Sequence, residues 1–156
     1  MKLDVSKKNG ELGVLATALL PVPATQIIRA HTHPHYAASF RDIQQYSKFE
    51  IEGCVIRTEY PARIGPLKMT MKVMKRFVPE TPTRSCIEFW TAPDCLAAFQ
   101  GRWTIREVGR GSHVTLAQAV KVPGWARWLP VESYLRARVT NAFKDLEQLA
   151  DRERDT

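Results

Sequence analysis

Three histidines at alternate positions, His31-x-His33-x-His35, are the densest candidate chemistry in the chain. Imidazoles two residues apart can share a face and ligate zinc, but a tetrahedral site needs further ligands held rigidly. Pro34 sets the cluster in a turn, and neither a nearby cysteine nor an H-x-x-x-H helix completes it. The three therefore read as loop histidines, and no metal or other cofactor is expected. Cys54, Cys86 and Cys95 are odd in number and lack C-x-x-C spacing, which argues against a disulfide framework and for a reducing, intracellular compartment. Ser39, Ser47, Ser85, Ser112 and Ser133 have no nucleophile-elbow context. Gly109-Arg110-Gly111 opens no helix, so it reads as a hairpin turn and not a phosphate loop. No catalytic residue is assigned.

Arg138 falls three residues after Leu135 and four before Ala142, inside an apolar helical stripe. A guanidinium there can hold the polar head of an apolar ligand by a bidentate contact. Its long stem can equally carry the charge to the edge of the stripe, toward Asp145. Thr58, Tyr60 and Gln118 lie in register with the apolar faces of their strands. They suit the few placed polar groups of a small-molecule pocket, or ordinary satisfied polar positions at a sheet end.

The elements that position these groups follow from periodicity. Leu12, Val14, Ala16, Ala18 and Leu20 share one face of a first strand. The preceding Lys2, Lys7 and Lys8 loosely imitate a secretory leader, but Asp4 and Glu11 dilute the charge and no small-residue cleavage site follows. Two short helices are expected next, Ala24–His31 entered through Pro23 and Tyr36–Gln45. From Lys48 to Val122 the period is two. Pro61 and Gly65-Pro66 mark one turn, and Leu67, Met69, Met71 and Val73 alternate with Lys68, Thr70 and Lys72 until Pro79 and Pro82 close the strand. Strands over Ser85–Trp90, Phe99–Val108 and His113–Val122 succeed it through short turns, which implies antiparallel neighbours. Val131 to Arg152 holds neither proline nor glycine, and Val131, Leu135, Val139, Ala142, Leu146 and Leu149 make one stripe of a helix about 33 Å long.

At 156 residues the chain fits one domain, residues 1–156, with a core of its own. No apolar run approaches the roughly 20 residues of a membrane-spanning helix. The net charge is +7, and Arg57 to Arg84 alone carries seven basic residues (Arg57, Arg63, Lys68, Lys72, Lys75, Arg76, Arg84) against Glu59 and Glu80, or 7 − 2 = +5. Such a stretch can meet nucleic acid, an anionic membrane or an acidic partner, and reads first as a solvated sheet face.

Four segments carry a family resemblance. Val22-Pro23-Ala24 opens the first helix, His33-Pro34-His35-Tyr36 stands at the turn before the second, Phe99-Gln100-Gly101-Arg102-Trp103-Thr104-Ile105 is similar to a Gly-x-Trp strand, and Val122-Pro123 precedes the last loop. With the element order, these make the chain from Leu12 to Leu149 resemble the START/polyketide-cyclase (SRPBCC) superfamily, nearest its coenzyme-Q-binding START and polyketide cyclase/dehydrase branch. It departs from that pattern in having Ile27-Ile28 where many members carry an aromatic, and histidines where the turn is usually acidic.

The resemblance implies an α+β helix-grip fold: a curled antiparallel sheet wrapped around the long C-terminal helix, with two short helices after the first strand. It also implies a cavity between sheet and helix. Leu67, Met69, Met71, Ile87, Phe89, Trp103 and Leu116 are the inward strand positions, and methionines adapt to irregular space. A solid core would use the same residues. The expected ligand contacts are Tyr60, Met69, Met71, Phe89, Trp103, Leu116 and Gln118 from the sheet, with Leu135, Arg138, Val139 and Ala142 from the helix. The expected function is binding or transport of a hydrophobic small molecule, such as an isoprenoid quinone, lipid or polyketide-like compound. Trp125 and Trp128 can gate access, touch a membrane interface or pack within their loop. The rivals are an aromatase/cyclase-type enzyme in the same cavity and a ribosome- or RNA-binding protein using the basic strand; nucleic acid ranks behind the small molecule. Oligomeric state is left open.

Overall fold

A computed structural model describes residues 1–33, 46–93 and 98–154. Among the described residues, eight strands form one antiparallel sheet: β1 (Lys2–Lys8), β2 (Glu11–Leu20), β3 (Lys48–Glu52), β4 (Val55–Ile64), β5 (Leu67–Thr81), β6 (Arg84–Thr91), β7 (Ala98–Val108) and β8 (Gly111–Lys121). Their order across the sheet is β1-β2-β8-β7-β6-β5-β4-β3, so the sheet curls without closing. Helix α1 (Ala24–Thr32) follows β2, and α2 (Val131–Arg154) comes after β8. At 24 residues, α2 spans about 36 Å and lies along the concave face. This is the α+β helix-grip architecture. The second expected short helix, Tyr36–Gln45, lies outside the described residues. No helix among the described residues is long and apolar enough to cross a membrane.

Three expectations about the strands need correction. Glu11–Leu20 is the second strand, because Lys2–Lys8 pairs against it from Lys2↔Thr17 to Lys8↔Glu11. The signal was present in Asn9-Gly10, whose φ values of 52° and 76° are those a two-residue hairpin turn demands. With only Leu3 and Val5 apolar, β1 is a weakly patterned edge strand.

Pro61 does not end β4, which runs on to Ile64 with Pro61 opposite Thr70; the turn is Gly65-Pro66 alone. Proline is tolerated here because β3 pairs only with Val55 to Glu59, leaving the missing N–H on an open side. Likewise β5 continues through Pro79 to Thr81 at a register shift, beyond the last β4 partner at Arg76.

The core divides along α2. Phe143, Leu146 and Leu149 are buried with Ile27 and Ala30 of α1 and the inward residues Leu12, Val14 and Ala16 of β2. Phe143 and the buried Asp145 fall outside the expected stripe. The N-terminal half of α2, from Val131 to Ala142, meets the strands differently.

Candidate functional site

Beneath that N-terminal half lies a cavity. Its volume, taken over positions open to the centre of a water molecule, is about 140 Å³, where one water needs about 10–15 Å³ on that scale. β5 supplies one wall through strict alternation, with Leu67, Met69, Met71 and Val73 facing in and Lys68, Thr70 and Lys72 facing away. All eleven expected contact residues line the cavity. Tyr60 comes from β4, Met69 and Met71 from β5, Phe89 from β6, Trp103 from β7, and Leu116 and Gln118 from β8; Leu135, Arg138, Val139 and Ala142 come from α2. Phe99, Val73 and the loop residues Trp125, Ala126 and Leu129 join them.

Backbone shape makes room for this. A side chain at Gly101 would strike the Ala117 carbonyl and come within 2.7 Å of the Phe89 ring. The glycine two residues before Trp103 thus lets β7 approach β8 and frees Phe89 to meet Phe99 edge-on at 6.0 Å.

Arg138 is half-buried and lies over the Tyr134 ring, 5.0 Å from its centroid. It also borders an outer groove with Pro61, Arg63, Lys68 and Asn141, so it stands at the rim between the cavity and the surface. Near the same end, Trp125 and Trp128 are 54% and 67% exposed on either side of Arg127.

Two groups depart from the places expected of them. Lys75 is not part of a solvated face: it is 4% exposed and lines the cavity. Its Nζ donates to Tyr46 Oη at 2.7 Å, and burial pushes its pKa from 10.5 down to about 7. The signal was legible, because Lys75 is the next odd position after Leu67, Met69, Met71 and Val73. His31 is not a loop residue but belongs to the last turn of α1, buried, with its ring 4.8 Å from that of Trp103. Burial, and then the charge of Lys75, hold its imidazole well below the usual histidine range. Thr58 does not line the cavity; its hydroxyl donates to the Val73 carbonyl at 2.8 Å and braces β4 on β5.

The basic stretch is partly neutralised on the outer surface. Arg76 and Arg102 hold Glu88 at 2.5 and 3.1 Å, Arg84 holds Glu80 at 2.6 Å, and Arg57 holds Glu52 at 2.9 Å. Among the described residues, Arg63 and Lys68 are the exposed cations of that stretch with no ion pair.

No known family model matches the sequence, and a search of curated proteins finds no match. Solved structures do match. The Zhui aromatase/cyclase of a Streptomyces species superposes with a TM-score of 0.71 at 11% identity, over 91% of this chain and 94% of its own. The lipid transfer and protein localization domain of human StarD13 gives 0.65 at 9% identity, over 93% and 89%. A STAR-related lipid transfer protein of Xanthomonas axonopodis gives 0.64 at 12% identity, over 94% and 97%. The chain has the START/polyketide-cyclase fold.

Proposed function

We propose that the chain binds and carries a hydrophobic small molecule in the cavity under the N-terminal half of α2. The observation behind this is the hollow itself, about 140 Å³ left open among Met, Phe, Trp and Leu side chains that would otherwise close on one another. Apolar transfer contributes about 0.8 kcal/mol for each CH₂ buried there. Met69, Met71, Phe89, Trp103, Leu116, Leu135, Val139 and Ala142 make the apolar contacts; Tyr60, Gln118 and Arg138 orient the molecule. Structural likeness to lipid-transfer and aromatase/cyclase proteins supports a hydrophobic ligand, which we read as an isoprenoid quinone, a lipid or a polyketide-like compound. Exposed Trp125 and Trp128 suit loading at a membrane interface, where indole is favoured.

Native mass spectrometry of the purified protein tests the reading. One apolar molecule per chain, released by organic solvent, is the expected result. A bare chain mass with nothing extractable, even after incubation with a quinone or lipid extract, would count against it.

A further inference from the structure

The inward row of β5 ends on a cation. Leu67 and Lys75 are eight residues apart, about 26 Å along the strand, so Lys75 sits at the end of the wall away from the Trp125 loop. Its cross-strand partners are Ile56 and Phe89, both apolar. Among the described residues, the titratable groups placed against it are Tyr46, from the segment before β3, and His31 of α1; the ring of Tyr60 on β4 lies 6.1 Å from that of Tyr46. Among the described residues no carboxylate pairs with Nζ. An ammonium there has given up water for one phenol oxygen and the face of its ring, 5.2 Å away. Neither carries a compensating charge.

We propose that Lys75 anchors the acidic head of the ligand: an amphiphile whose carboxylate or other anionic group seats on Nζ while its apolar body lies along Met71, Phe89 and Trp103. This rests on the ligand-binding reading of the cavity and names the class of ligand. The anion supplies the charge that the apolar wall lacks, and Tyr46 holds the amine in place to receive it. Because burial lowers the pKa of Nζ to about 7, an anion bound above that pH must draw a proton onto Nζ, and its affinity falls as pH rises.

Two fluorescent probes that differ by one sulfonate test this: anilinonaphthalene sulfonate and the neutral N-phenylnaphthylamine. The sulfonate stays ionised throughout, so any pH dependence belongs to the protein. Both are titrated into the wild type, Lys75→Met and Arg138→Leu. Lys75→Met should weaken the sulfonate about tenfold or more at pH 6.5 and change the neutral probe less than about twofold. In the wild type, sulfonate affinity should fall by up to about tenfold per pH unit above 7, while the neutral probe should not weaken. Sulfonate binding indifferent to Lys75→Met and to pH, with the neutral probe still bound, would overturn the anchor and leave the cavity reading standing. A loss confined to Arg138→Leu would move the head to the rim and also overturn it. Failure of the wild type to bind the neutral probe would remove both readings.

Discussion

The indole of Trp103 stands 5.5 Å from the ring of Phe143, tilted by 43°. This contact between β7 and α2 marks where the interior changes character. Toward the C-terminus of α2, Phe143, Leu146 and Leu149 pack into a solid core. Toward its N-terminus, Ala142, Val139, Leu135 and Val131 border the cavity. One amphipathic helix thus serves as a structural staple at one end and a cavity roof at the other.

The roof must stay apolar. Leu135 and Val139 are 7% and 4% exposed. Leu135→Asp or Val139→Asp should lower stability by about 3–5 kcal/mol, the cost of an unpaired buried charge, read from the midpoint of chemical denaturation. An unchanged midpoint would mean that these residues do not face the sheet.

Lys68, Lys72 and Arg76 point away from the cavity, and Arg76 pairs with Glu88. Replacing all three by glutamine should leave binding of a neutral apolar probe intact. The denaturation midpoint should barely move, because ion pairs exposed to solvent add little to stability. Lost probe binding with the fold preserved would show that this face helps deliver the ligand. Steeply salt-dependent RNA binding by the wild type would favour the nucleic-acid alternative.

At the rim, Arg138→Leu should weaken neutral ligands that carry a carbonyl, such as a quinone, by about 1.5–3 kcal/mol. The corresponding hydrocarbon should be spared, since it needs no donor. Equal affinity of the variant and the wild type for the quinone, measured by calorimetry, would take Arg138 out of the site.

Lys75 makes stability depend on pH in a definite direction. Between about pH 7 and the ordinary lysine value of 10.5, the unfolded chain holds a proton that the folded chain does not. Stability therefore rises with pH through that window. Lys75→Met should be the more stable protein at and below pH 7, by at most on the order of 5 kcal/mol, with the advantage shrinking toward pH 10. His31, neutral when folded, adds a separate loss below its ordinary 6.5 in both proteins. Denaturation midpoints that track in parallel from pH 7 to 10 would show that Lys75 is not desolvated.

Most of the fold was legible because alternation and helical stripes follow directly from burial on one face. What escaped was local. The hairpin at Asn9-Gly10 opens onto an edge strand with little apolar pattern, and prolines 61 and 79 punctuate strands only where a neighbour is missing. Within the site, alternation assigns apolar positions to an inward face, whereas charge groups Lys75 with residues that point the other way. Spacing groups His31 with His33 and His35, although its helix turns it inward against Trp103. Whether apolar residues enclose space or fill it depends on three-dimensional fit, which periodicity does not encode.

Trp103 offers the most direct test of an occupied cavity. With Trp90, Trp125 and Trp128 replaced by phenylalanine, Trp103 is the sole indole, and N-phenylnaphthylamine can accept its excitation energy. Titration should quench Trp103 saturably, at one probe per chain, and Ala142→Phe should abolish the quenching by filling the space without adding an indole. Trp103 emission that stays constant through the titration, in a protein shown by circular dichroism to be folded, would contradict the cavity and point to a solid core.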